Sequence, residues 1–103
     1  MFKIKIKKRG FETNYKELVE KMVKAVVSLP SQVEIEEMAG SRTGVVEIKT
    51  APEDIGRLIG KNGRVINAMR TIVTAASAKE GKSVAIEVLN RRQQLQAGSA
   101  KLH

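Results

Sequence analysis

Four consecutive residues, Gly60-Lys61-Asn62-Gly63, carry the types and spacing best suited to binding chemistry in this chain. Glycine at both ends removes the Cβ atoms, so the main chain there can come into contact with a ligand's own backbone. Amides that open the following helical segment stand at the positive end of its dipole, where a phosphate is favoured. Lys61 and Arg64 add mobile positive charge at the same spot. A phosphodiester backbone is the ligand that these features jointly suit.

Catalytic readings fail on residue type and spacing. The single histidine is His103, the last residue, where nothing holds it in place, which removes histidine catalysis and histidine metal ligation. There is no cysteine, hence no disulfide framework, thiolate metal site or cysteine nucleophile. The stretch Gly56 to Asn62 mimics a P-loop, but three residues separate its glycines where four are required. Asn62 also replaces the hydroxyl residue that would hold magnesium. Gly81-Lys82-Ser83 has the right ending, yet Ala76 stands where the first glycine belongs and a strand follows where a helix should. Glu36 and Glu37 are neighbours in a strand pattern and point to opposite faces, so they form no acid–base pair. No enzymatic activity, metal or cofactor is expected.

The elements that position the loop follow from periodicity. Asn14 with Glu17 three residues on resembles a capping box, and Tyr15, Leu18, Val19, Met22, Val23, Val26 and Val27 then recur at helical spacing until Pro30. Val33-Glu34-Ile35-Glu36 alternates as a half-buried strand, residues 39–44 read as a loop, and residues 45–50 resume a strand, so a hairpin is expected. Ala51-Pro52-Glu53-Asp54 has the form of a helix start, with proline first and acids in the first turn. Ile55, Leu58 and Ile59 form one apolar stripe before the loop. After it, Val65, Ile66, Met69, Ile72, Val73 and Ala76 mark one face of a second helix, with Arg64, Asn67, Arg70, Thr71 and Thr74 on its polar faces. Residues 83–89 make the last strand, with Val84, Ile86 and Val88 towards the core. The expected fold is α+β in the order α-β-β-α-α-β, a three-stranded sheet with helices packed on one face.

With 103 residues and 42% hydrophobic composition, the chain suffices for one domain with one modest core. The net charge of +8 lies wholly at its ends: residues 1–10 carry five basic side chains and no acid, and residues 91–103 carry three. Within the neutral middle, residues 61–90 hold five basic against two acidic side chains. This distribution fits a polyanionic partner and also fits ordinary solvated ends. The expected division is a basic arm over 1–13, a domain over 14–90 and a flexible basic tail over 91–103. Residues 1–7 alternate Phe2, Ile4 and Ile6 with lysines, which suits either a lysine-protected edge strand or a disordered arm. The first residues lack a signal-peptide core and no apolar run approaches membrane-spanning length, so a soluble, cytoplasmic protein is expected.

Ile59-Gly60-Lys61-Asn62-Gly63-Arg64-Val65-Ile66 matches in full the Ile-Gly-x-x-Gly-x-x-Ile signature of KH domains, and the element order resembles the type II KH fold. Together with Ala51 to Asp54 and the Arg-Thr-Ile-Val-Thr-Ala-Ala stretch at 70–76, residues 15–89 are similar to small bacterial single-KH proteins of the KhpA type. That resemblance implies a binder of single-stranded RNA, acting as a post-transcriptional regulator or RNA chaperone. It implies that Gly60 and Gly63 permit backbone approach while Lys61 and Asn62 contact phosphate and sugar. Ile55, Ile59 and Ile66 would bound the apolar floor of a base groove, with Leu58, Val65 and Met69 as core. Arg57, Arg64 and Arg70 would stand at its rim, beside Asn67; for each arginine a solvated role fits equally well. Phe2, Phe11 and Tyr15 are the only aromatic residues and all precede the two-helix unit, so base stacking on aromatic platforms is not available there. Weak, salt-sensitive binding with limited sequence selectivity follows. The resemblance also implies a homodimer, or pairing with a larger KH-containing RNA-binding protein, and leaves a protein-interaction adaptor with little RNA affinity as the alternative.

Overall fold

The computed structural model of the chain describes residues 13–90. The expected N-terminal arm strand and the C-terminal tail lie outside these residues. Helix α1 (Tyr15–Val26) starts at the expected cap, where the Asn14 side chain accepts from the Glu17 amide at 3.0 Å. It buries Tyr15, Val19 and Val23. Its end differs from expectation: the helix stops at Val26, and Pro30 opens a separate short 3-10 turn (Pro30–Gln32). The chain leaves the helix early because the amides of Ser28 and Leu29 are taken by a carboxylate from elsewhere in the fold.

Strands β1 (Glu34–Ala39) and β2 (Thr43–Lys49) form an antiparallel hairpin with Ile35 opposite Ile48, so the loop is shorter than the sequence indicated. The Gly40 amide closes it by donating to the Thr43 carbonyl at 2.8 Å. After a 3-10 turn (Pro52–Asp54) come helix α2 (Ile55–Ile59) and helix α3 (Arg64–Lys79), then strand β3 (Ser83–Val88). Strand β3 lies parallel to β2, giving the sheet order β1-β2-β3. The result is the expected α+β, type II KH-like fold, with all helices on one face of a mixed sheet.

The core fills the space between helices and sheet. Val19, Val23, Val46, Ile48, Leu58 and Val73 have no exposed surface. In α3 the buried stripe runs through Ile66, Met69, Val73 and Ser77, while Ile72 is 49% exposed. The expected apolar face was therefore too wide. A helix can press only one stripe onto the sheet, and Ile72 falls on its flank. Among the described residues no helix covers the opposite face of the sheet, and Glu36, Glu47 and Glu87 stand there in one row of direct register.

Asp54 is the most consequential buried group. It is fully buried, and its carboxylate accepts from the Ser28 amide at 2.9 Å, the Ser28 hydroxyl at 2.7 Å and the Leu29 amide at 3.0 Å. Arg57 Nε stands 3.3 Å from it. The expected role of Asp54, complementing the dipole of its own helix, is replaced by a long-range one. It makes no cap hydrogen bond to α2 and ties the α1–β1 connection to the start of that helix. The Ser28 amide above all, joined by the Ser28 hydroxyl, the Leu29 amide and Arg57, holds this carboxyl below the usual range despite burial. A second tie joins the start of α1 to the end of α3. Glu80 accepts from the Thr13 amide at 2.7 Å, from the Thr13 hydroxyl at 2.8 Å and from the Tyr15 hydroxyl. The Tyr15 hydrogen bond, more than those from Thr13, lowers the Glu80 carboxyl, while burial and then Glu80 push Tyr15 up to about 12.

Both carboxyls release their protons more readily in the folded chain than in the unfolded one. Their contribution to stability is complete above the ordinary carboxylate range, near pH 4, and is lost as pH falls through the depressed folded values. Melting temperature followed by circular dichroism from about pH 7 to about pH 2 is expected to hold steady and then fall on this acid branch. Asp54→Asn is expected to melt lower at neutral pH and to show a shallower acid branch. Parallel curves for the two proteins would contradict this account.

Candidate nucleic-acid interface

The loop is a tight left-handed passage between α2 and α3. Gly60 has φ 79°, Asn62 φ 56° and Gly63 φ 75°, so three of its four residues lie in the left-handed region. Asparagine is among the few side chains that tolerate such a conformation. The Gly60 amide donates to the Gly56 carbonyl at 2.8 Å, and the Gly63 amide to the Gly60 carbonyl at 3.0 Å. Among the described residues, no carbonyl is paired with the amides of Lys61 and Asn62. Both residues are exposed.

The two glycines serve different purposes. A Cβ at Gly60 would lie 2.5 Å from Val65 Cγ2 and 2.8 Å from the Val65 amide nitrogen. That glycine faces inward and lets α3 begin directly against the loop. A Cβ at Gly63 would lie 3.3 Å from Asn67 Nδ2, a movable side-chain end. Half-buried Gly63 therefore leaves the approach over the start of α3 clear down to Asn67.

From Asn67 a polar line continues across the fold. Arg70 Nη1 lies 3.5 Å from Asn67 Oδ1, and Arg70 Nη2 donates to the Ile86 carbonyl of β3 at 3.2 Å. The Thr71 hydroxyl donates to the Asn67 carbonyl at 3.0 Å. Asn67, Arg70, Thr71, Thr74 and Ala75 line an open groove of about 540 Å³.

The structure thus brings Gly60, Lys61, Asn62, Gly63, Asn67 and Arg70 along one side of the two-helix unit. Arg57 is exposed and directed back to Asp54. Arg64 lies on the other flank of α3, in a second groove of about 430 Å³ with Met22, Ala25, Val26, Val65, Ala68, Met69 and Ile72. Ile55 and Ile59 are half-buried on α2, whereas Ile66 is 3% exposed and lies in the core. Sequence reading missed the Ile86 carbonyl, for which no side-chain signal exists. It also missed the second apolar groove, whose signal was the excess width of the α3 stripe.

Residues 16–88 match the family model described as KhpA/KhpB, KH domain. The chain belongs to this family. Among its relatives are three proteins named RNA-binding protein KhpA. The one from Caldanaerobacter subterraneus subsp. tengcongensis is 47% identical over 73 residues, covering 71% of this chain and 97% of the relative. That from Clostridium perfringens is 45% identical over 74 residues, 72% of this chain and 99% of the relative. That from Clostridium acetobutylicum is 42% identical over the same extent. No solved structure gives a significant match. The KhpA-type relatives are named for binding RNA and not for a reaction. Among the described residues no helix is long and apolar enough to cross a membrane.

The inward glycine and the outward one should differ in stability. Gly60→Ala combines left-handed strain with a collision against Val65 backbone, and is expected to cost on the order of 2–4 kcal/mol. Gly63→Ala, strained but able to displace Asn67, is expected to cost about 1–2 kcal/mol. Urea denaturation measures both, and the reverse order would contradict the assignment.

Proposed function

We propose that this chain binds a short single-stranded segment of RNA by holding its sugar-phosphate backbone against the Gly60–Gly63 loop. The observation that carries the reading is the pair of amides at the exposed residues Lys61 and Asn62, unpaired within the described residues and just ahead of the 16-residue helix α3. That position combines orphan donors, the positive end of a helix dipole and a mobile lysine. RNA-binding KhpA relatives covered almost end to end by the same region support it. Charge separation supports the choice of face. The uncovered side of the sheet carries the row Glu36, Glu47 and Glu87, which repels a polyanion, whereas the loop side carries Lys61 and Arg70. Arg64 and the basic ends add attraction that falls with salt. In the cell the protein would act as a cytoplasmic post-transcriptional regulator or RNA chaperone.

A second reading, compatible with the first, is association through the apolar groove between α1 and α3. Val26 at 38% exposure and Ile72 at 49% form its open wall. This face would serve self-association or pairing with a larger KH-containing protein. On this reading Ile72→Asp is expected to shift the chain to monomer in sedimentation velocity, and an unchanged distribution would remove it.

For the RNA reading the decisive variant is Lys61→Asp with Asn62→Asp. Aspartate tolerates the left-handed conformation at position 62, so the loop should keep its shape while its charge reverses. Titration of labelled single-stranded RNA is expected to show affinity lowered by more than about tenfold, with an unchanged circular dichroism spectrum. Undiminished affinity in the folded variant would overturn the proposal.

A further inference from the structure

Arg70 is the one cation among the described residues that line the groove beyond the loop. Its position is fixed by the sheet. Among the described residues β3 pairs only with β2, and the amide of Leu89, just beyond the strand, bonds the Ile48 carbonyl, so alternate residues of β3 turn their main-chain groups to the edge away from β2. Ile86 is one of these, and its carbonyl accepts from Arg70 Nη2 at 3.2 Å. With Nη1 beside Asn67 Oδ1 at 3.5 Å, the guanidinium bridges α3 and the edge of β3. A guanidinium has five N–H groups in a planar fork. These two contacts leave one N–H on each terminal nitrogen, and that on Nε, directed to other partners.

The place is within reach of a base whose phosphate rests on the loop. Arg70 lies seven residues beyond Gly63 in the sequence, about 10 Å along the helix axis. Asn67 connects the two, under Gly63 on one side and against Arg70 on the other. Two parallel donors in a fixed fork match two neighbouring acceptors, the pairing that makes arginine a reader of guanine. An unpaired base exposes its whole rim, so two bases qualify: guanine through N7 and O6, and cytosine through N3 and O2. Adenine and uracil alternate donors with acceptors and cannot satisfy the fork. The hydroxyls of Thr71 and Thr74, which both donate and accept, do not discriminate.

We infer that Arg70 is the specificity-determining residue of this interface, selecting cytosine or guanine at a single base position in the groove between α3 and the edge of β3. The inference rests on the RNA-binding reading, and its test separates the two. The probes are labelled uridine octamers carrying one central cytidine, guanosine or adenosine, beside the unsubstituted octamer. The unmodified chain is expected to bind the cytidine or guanosine octamer about tenfold more tightly than the other two. Arg70→Lys keeps the charge and loses the fork, and is expected to bind every octamer more weakly with the preference reduced to within about twofold. Arg70→Gln, carrying one amide in place of the fork, should lose the preference likewise while leaving the salt slope nearly unchanged, since the residue it replaces reads a base and not a phosphate. Equal affinity of the unmodified chain for all four octamers would overturn this inference and leave the RNA reading standing. So would an undiminished preference in Arg70→Lys. Absence of binding to any octamer by the folded chain would overturn both.

Discussion

A carboxylate removed from water at Asp54 is the constraint on which the architecture turns. An isolated buried charge is far too costly to keep, so the chain must bring donors to it. Those donors come from Ser28 and Leu29, more than twenty residues away, and from Arg57 one turn on. Satisfying them ends α1, fixes where the chain enters α2 and thereby sets the start of the glycine loop. Among the described residues no buried side-chain polar atom lacks a partner. The loop's place in the fold is therefore an indirect product of electrostatics elsewhere.

The two faces of the sheet divide the molecule's labour. Helices cover one face and carry the loop, the polar groove and the bridging arginine. The other face, which no helix among the described residues covers, carries glutamates in register across all three strands, an arrangement that opposes sheet stability locally. Its acceptance is consistent with a ligand that must be kept to one side. The Glu80 tie to Thr13 and Tyr15 completes the frame by joining the first helix to the end of the helix that bears the groove.

What could be read from sequence was whatever depends on neighbours in the chain. The Asn14 cap, the stripe of α1, the alternation of β3 and the interruption of the two helices at Gly60-Lys61-Asn62-Gly63 are local, and each is where periodicity and turn chemistry put it. The rest depends on partners distant in sequence. Asp54 has the composition of a helix start, and only the folded chain reveals that its donors lie in the α1–β1 connection. Ile66 and Ile72 both fit a broad apolar face, and only packing on the sheet shows how narrow the buried stripe is. Arg70 could be named from sequence only as one of three candidate rim arginines, because its partner, the Ile86 carbonyl, belongs to a backbone that every residue shares.

The interlock of Gly60 with Val65 has a kinetic meaning. A loop whose shape is set by contacts between its own flanking helices does not wait for a ligand to order it. Little ordering entropy is then charged to the protein on encounter, and the flexible strand bears that burden instead. On the proposed RNA-binding reading, capture would proceed at a rate governed by electrostatic steering, much the same for every RNA. Any discrimination among RNAs would then reside in how long each stays.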